Sequence, residues 1–140
     1  MQHNRDWNAE IIAEFRANSG NVQAPYDDPP PMLLLHTIGA RSGREHIVPM
    51  RGLPDGDALY VFATAHSSPR NPDWYYNLLA NPDIVIERGT DTIPVRAILL
   101  QDDERRAIID RWIARVPPVR AVFEKTAREV PVFRLDPRRP

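Results

Sequence analysis

Cysteine is absent from this chain of 140 residues. Disulfides, thiolate nucleophiles and Cys-ligated metals are therefore excluded, and a cytoplasmic setting is expected. An excess of charge is also missing: 18 Lys and Arg stand against 19 Asp and Glu, for a net charge of -1. That balance excludes a global attraction to nucleic acid or to an anionic membrane. No apolar run approaches the length of a membrane span, and the polar start MQHNRDWNAE carries no signal-like core, so no stable membrane insertion is expected. Lysine is nearly missing, with Lys125 its sole instance. Arginine favours bidentate contacts to carboxylate and phosphate, although GC-rich coding explains the total as well.

Chemical motifs are sparse. None of His3, His36, His46 and His66 pairs with another at helical i, i+4 spacing, and no carboxylate cluster joins them, so no metal site is expected. His66, in a loop after a strand, has the chemistry to hydrogen-bond a ligand but reads equally as an exposed loop residue. There is no Gly-x-Ser-x-Gly elbow, no recognisable Ser/His/Asp order, no Walker-type loop and no Gly-x-Gly-x-x-Gly fingerprint. No catalytic side chain is identified.

What is present is a well-punctuated globular pattern, 42% hydrophobic and 26% charged, with the length of one domain over 1–140. Residues 6–18 read as an amphipathic helix with Trp7, Ile11, Ile12 and Phe15 inward and Asp6 as N-cap. Gln23–Pro31 is a proline-rich connector. Strands are expected at Met32–Ile38, Glu45–Leu53, Ala58–Ala65, Asp83–Arg88 and Thr92–Leu100, with Pro94 marking an edge or bulge. A short helix over Trp74–Leu79 lies between the third and fourth strands. A helix over about 102–115 begins with acids, as its dipole prefers, and carries Ile108, Ile109, Trp112 and Ile113. A short helix over 119–128, a last strand Val130–Leu135 and a polar tail from Asp136 complete an α+β chain. Its simplest form is a small β-barrel with flanking helices.

Two segments stand out. In HTIGARSGREHIVPM, residues 36–50, Gly39 and Gly43 free the backbone to bend and expose N–H groups. Arg41, Ser42, Arg44 and His46 cluster beside them. The pattern reads first as a basic hairpin turn and second as a seat for an anionic ligand such as a phosphate. The other segment, 71–82, sets two Asn-Pro pairs around Trp74, Tyr75 and Tyr76. At 3.6 residues per turn these three rings cannot all face a core. Core packing by Trp74 and Leu78 with the tyrosines at the rim is one reading; a flat ring bearing a phosphate tail is the other.

Taken together, Leu33–Gly43, Val48-Pro49-Met50, the Asn71–Pro82 segment and Thr126–Val132 resemble the deazaflavin-dependent nitroreductase family of small proteins that use coenzyme F-420. The resemblance runs from Asn8 to Leu135. It implies a split β-barrel (FMN-binding split-barrel-like) of mainly antiparallel strands with an N-terminal helix and C-terminal helices. It also implies an oxidoreductase passing a hydride from reduced coenzyme F-420 to an apolar organic acceptor such as a quinone, enone or nitroaromatic. The cofactor positions it carries over are Arg41, Ser42, His46, Val48, Pro49 and Met50 for the phosphate and ribityl chain. Thr64 and Ala65 lie at the end of the third strand, and Asp73, Trp74, Tyr75 and Asn77 border the ring. The substrate wall falls on Val116, Val119 and Val122, where tyrosines stand in a nitroimidazole-reducing member. Other departures are Ala40 and His46, where relatives carry basic residues, and Ala65, His66 and Ser67, where a lysine and two glycines are frequent. An FMN-binding reductase of the same barrel and a non-catalytic coenzyme-binding module remain the alternatives. A homodimer is allowed by analogy.

Overall fold

The computed structural model describes residues 5–22 and 30–138, and for Arg5, Asp6 and His66 the backbone alone. Most of the connector 23–31 and the side chain of the expected cap Asp6 therefore lie outside the described residues.

Helix α1 spans Arg5–Ala17. It presents Ile11 and Phe15, with Trp7 and Ile12 beside them, to Met32 and Leu34. Ser19 and Gly20 adopt positive φ, and the N–H of Gly20 closes onto the carbonyl of Phe15 at 2.7 Å, which ends the helix.

The strands are β1 (Met32–Ile38), β2 (Glu45–Arg51), β3 (Leu53–Asp55), β4 (Ala58–Phe62), β5 (Asp83–Arg88), β6 (Asp91–Leu99) and β7 (Val132–Pro137). They form one antiparallel sheet in the order β2-β1-β5-β6-β7-β4-β3. Leu33 and Leu35 of β1 share a buried cluster with Leu59 and Val61 of β4, although three strands separate them in that order. The sheet must therefore curl around this core, which is the split-barrel form. Leu33, Leu34 and Leu35 are all fully buried, because α1 covers one face of β1 and the curled core covers the other.

Helix α2 (Asp73–Ala80) plugs the curl with the buried Leu78. Helix α3 (Asp102–Arg115) buries Ile108 and Trp112 against Tyr60, Leu100 and Val132 in a second cluster. A 3-10 turn over Pro117–Val119 leads into α4 (Arg120–Lys125).

Several boundaries differ from the expectation. The second strand breaks at Gly52 into β2 and β3, and the third ends at Phe62 rather than Ala65. The last helix is confined to Arg120–Lys125. Asp136 and Pro137, expected in a mobile tail, extend β7 by pairing with Arg96 and Val95. Pro94 lies in an interior strand, between β5 and β7. Its carbonyl accepts from the N–H of Arg138, just past the last β6–β7 pair, at 2.8 Å. In an antiparallel strand the N–H and C=O of one residue point the same way. The donor that Pro94 lacks would thus face the fading end of β7, and the β5 ladder loses nothing.

Candidate functional site

The turn between β1 and β2 is held by its own backbone. The N–H of Gly39 donates to the carbonyl of Arg44 at 2.8 Å, and that of Gly43 to the carbonyl of Gly39 at 2.9 Å. Gly43 sits at φ 69°, which favours glycine. A Cβ on Gly39 would collide with Ser42 Oγ, which accepts from the N–H of Arg44 at 3.1 Å. The N–H groups of Arg41 and Ser42 have no acceptor among the described residues. Arg41 and Arg44 are exposed, and neither makes an ion pair there. Open N–H groups beside uncommitted guanidinium groups are the donor set that an anionic phosphate needs.

Helix α2 is tied to this turn. Asn77 Oδ1 accepts from the N–H of Ala40 at 2.9 Å, and Asn81 Nδ2 donates to the carbonyl of Ile38 at 3.3 Å. Trp74 and Tyr75 lean on Phe133, with ring centroids 6.1 and 5.8 Å away. Tyr76 is 46% exposed and meets Tyr75 edge-on at 4.9 Å. The three rings divide as helix periodicity demands: two half-buried against the barrel, one outward. Asp73 is exposed at the first turn of the helix. Just before it, Asn71 Oδ1 is buried without a hydrogen-bond partner among the described residues. Such an orphan acceptor is uncommon.

Strand β2 brings its residues to two faces. Val48 pairs with Leu35 and Met50 with Leu33, so His46, Val48 and Met50 lie on the barrel-core face, with Met50 packed there beside Trp74 and Tyr75. Pro49 pairs with Leu34 and faces α1 instead.

The loop after β4 leads into α2. Ala65 and Ser67 adopt φ of 47° and 64°, a left-handed conformation that costs these residue types about 1–3 kcal/mol each. Three anchors hold it. Ser67 Oγ donates to the carbonyl of Val122 at 2.9 Å. Arg128 Nε donates to the carbonyl of Ser68 at 3.1 Å. Arg128 Nη2 reaches the carbonyls of Ala63 and Thr64 at 2.9 and 3.0 Å. Burial pushes the Arg128 guanidinium down from its usual pKa, with only the Tyr76 hydroxyl acting the other way. Val116 and Val119 pack on the cluster that contains Trp112, next to Phe62 and Phe123, and half-buried Val122 stands over the loop. The side chain of His66 lies outside the described residues.

The β1–β2 turn and α2 are thus joined by hydrogen bonds, and the loop after β4 is held by Val122 and Arg128. Val116 and Val119 are half-buried on the cluster that holds Trp112. Arg128 went unassigned as a site residue, because only the fold carries it 60 residues back to Ser68. His36 was likewise unassigned. Its Nε2 lies 2.6 Å from Glu87, whose carboxylate accepts two bonds from Arg16, and its Nδ1 lies 3.1 Å from Glu45. This network binds α1 to the sheet on the face away from α2. A concavity of about 260 Å³ between Phe15, Arg16, Glu87 and the β5–β6 turn is on that far side too.

The curled antiparallel sheet, with its cationic glycine turn tied to an aromatic helix, makes this a protein of the split-barrel class. Residues 7–137 match the family model described as F420H(2)-dependent quinone reductase, and the chain belongs to that family. A protein of Mycobacterium tuberculosis assigned as an F420H(2)-dependent quinone reductase is 35% identical over 115 residues, 82% of this chain and 97% of that one. The solved structure of an F420-H2 dependent reductase, FDR-A, has a TM-score of 0.69 at 30% identity. It covers 76% of this chain and 95% of its own. A solved domain-swapped dimer has a TM-score of 0.71 at 28% identity, over 94% of this chain and 98% of that one.

Proposed function

We propose that this chain is a quinone reductase that transfers a hydride from reduced coenzyme F-420 to an apolar quinone-like acceptor. One observation carries the reading. The hydrogen bond from Ala40 to Asn77 joins a turn with open N–H groups and uncommitted arginines to a helix that presents half-buried aromatic rings. A phosphate-bearing flat-ring ligand needs both features, side by side.

In this reading Arg41 and Ser42 take the phosphate, and His46, Val48 and Met50 line the polyol chain. Pro49, whose ring faces α1, takes part through its backbone. Trp74 and Tyr75 border the ring, Asn77 braces the turn, and Asp73 stands at the helix start. Thr64 and Ala65 meet the ring from the β4 loop. The bound coenzyme supplies the hydride, and solvent supplies the proton that completes the reduced acceptor. The protein binds, orients and excludes water, so it needs no nucleophile or general base. Val122, with Val116 and Val119 behind it, offers an apolar boundary without a hydroxyl. Quinones therefore suit the acceptor side better than nitroimidazoles or enones that depend on a hydrogen-bonded oxygen.

Fluorescence titration with the coenzyme tests the proposal, followed by turnover with a quinone panel. Saturable binding and quinone reduction are expected. No binding at tens of micromolar coenzyme ends the reading, and a yellow protein with a flavin spectrum replaces it with FMN. Self-association belongs to the same proposal, motivated by the dimeric neighbour, and sedimentation at micromolar concentration decides it.

A further inference from the structure

We infer that Arg128 is a positioning residue: its guanidinium locks the Thr64–Ser68 loop in shape and so turns the N–H of Ala65 toward the coenzyme face. The second half of this inference rests on the function proposed above.

The loop has reason to relax. Ala65 and Ser67 hold positive φ although neither is glycine. Such backbone persists only where the surroundings over-determine it. Arg128 supplies that constraint from outside the loop. Its planar fork grips the carbonyls of Ala63, Thr64 and Ser68, on both sides of the two left-handed residues. A lysine ammonium could not span the same three carbonyls with fixed directions. The Thr64 carbonyl also accepts from the N–H of Ser67 at 3.0 Å, so both its lone pairs are used.

A trans peptide directs its C=O and N–H to opposite sides. With the Thr64 carbonyl drawn to Arg128, the N–H of Ala65 must point away from it. That N–H has no acceptor among the described residues. The neighbouring donors are occupied: Thr64 N–H on Phe62, Ser67 N–H on Thr64 and Ser68 N–H on Ala65. Among the described residues the N–H of Ala65 is thus an open, oriented backbone donor at the start of this loop. The guanidinium itself meets no carboxylate among the described residues, only carbonyls and the field of Tyr76. An arginine kept partly buried without an acid is costly. Serving as a fork for carbonyls accounts for its presence, and its positive charge remains unneutralised behind the peptide that meets the ligand.

The test uses the full chain and the variants Arg128→Ala and Arg128→Lys, with Arg111→Ala as a control for loss of an arginine elsewhere. Hydrogen exchange without coenzyme is read on peptides covering 63–70. The inference expects at least tenfold faster exchange of the Ser67 and Ser68 amides in both Arg128 variants. Protection in β1 and β2 should stay unchanged, and the control should be silent. Coenzyme affinity should fall at least tenfold in Arg128→Ala, and added ethylguanidinium should restore part of both losses. Should Arg128→Ala not fold, Arg128→Lys carries the same comparison. Unchanged exchange overturns the inference. Faster exchange with undiminished affinity overturns the aiming of Ala65. If the unaltered protein binds no coenzyme, the proposed function fails, and exchange alone decides whether Arg128 locks the loop.

Discussion

The N–H of Ala40 and the Oδ1 of Asn77 meet at 2.9 Å across 37 residues of sequence. This single bond fixes the glycine turn against the aromatic helix. Replacing Asn77 with Ala should loosen the turn and weaken coenzyme binding by about fivefold, the worth of one neutral hydrogen bond near 1 kcal/mol. Asn77→Asp keeps the acceptor but adds an anion beside the phosphate seat. It should preserve thermal stability yet bind the coenzyme more weakly, and most weakly at low salt. Melting curves and fluorescence titrations at two salt concentrations check the pair.

Arg41 is exposed and uncommitted, so removing it should leave the melting temperature unaltered. Coenzyme affinity should drop by about tenfold, as expected for a lost charge-assisted contact of roughly 1.4 kcal/mol. The reciprocal change, Ala40→Arg, adds a cation where the side chain is already exposed and the N–H to Asn77 is kept. It should tighten binding in proportion to falling ionic strength. Equal affinities for all three proteins would remove the phosphate from this turn.

Gly39 tests the turn's shape. A Cβ there displaces Ser42 Oγ, which must then release the N–H of Arg44. Gly39→Ala should cost about 1 kcal/mol of stability through that lost bond and should weaken coenzyme binding as well. Gly39→Ala combined with Ser42→Gly removes the collision. The double variant should stay about as destabilised as Gly39→Ala and should not regain affinity, since the hydroxyl that accepts the Arg44 N–H is gone.

The Arg16–Glu87–His36 network sets a pH dependence. Hydrogen bonding from Arg16 first, and from His36 as well, holds the Glu87 carboxyl below its ordinary value of 4.5 against the opposing effect of burial. A depressed carboxylate contributes stability above its unfolded value and loses it as pH falls through the lower folded value. The unaltered protein should therefore exceed Glu87→Gln in stability at neutral pH by about 1 kcal/mol, a figure kept small because Arg16 is half exposed. The gap should close below about pH 4.5, with coenzyme affinity untouched at neutral pH. Melting temperatures across the pH range give the answer.

Element positions were legible because their signals are local. Asn18 to Gly20 end α1, and the acids at 102–104 open α3. The run at 32–38 gave β1 its exact-length match because leucines covered on both faces need no alternation. Misreadings arose where a partner far along the chain decides. Pro94 suggests an edge or a bulge, yet its strand is interior, since β7 runs out beside the missing donor. Asp136 looked like tail, yet β6 offers it a ladder.

The sequence by itself determined the α+β class, the glycine turn with its cations, the aromatic helix and the family resemblance. These depend on periodicity, turn chemistry and residue type, which act over a few residues. Tertiary structure alone decided that Asn77 braces Ala40, that Arg128 grips the loop after β4, and that His36 and Arg16 share Glu87. Each of those contacts joins segments separated by tens of residues. The pairing of β1 with β5, and the curl of the sheet driven by burial of the leucines of β1 and β4 in one core, bring them within hydrogen-bonding reach.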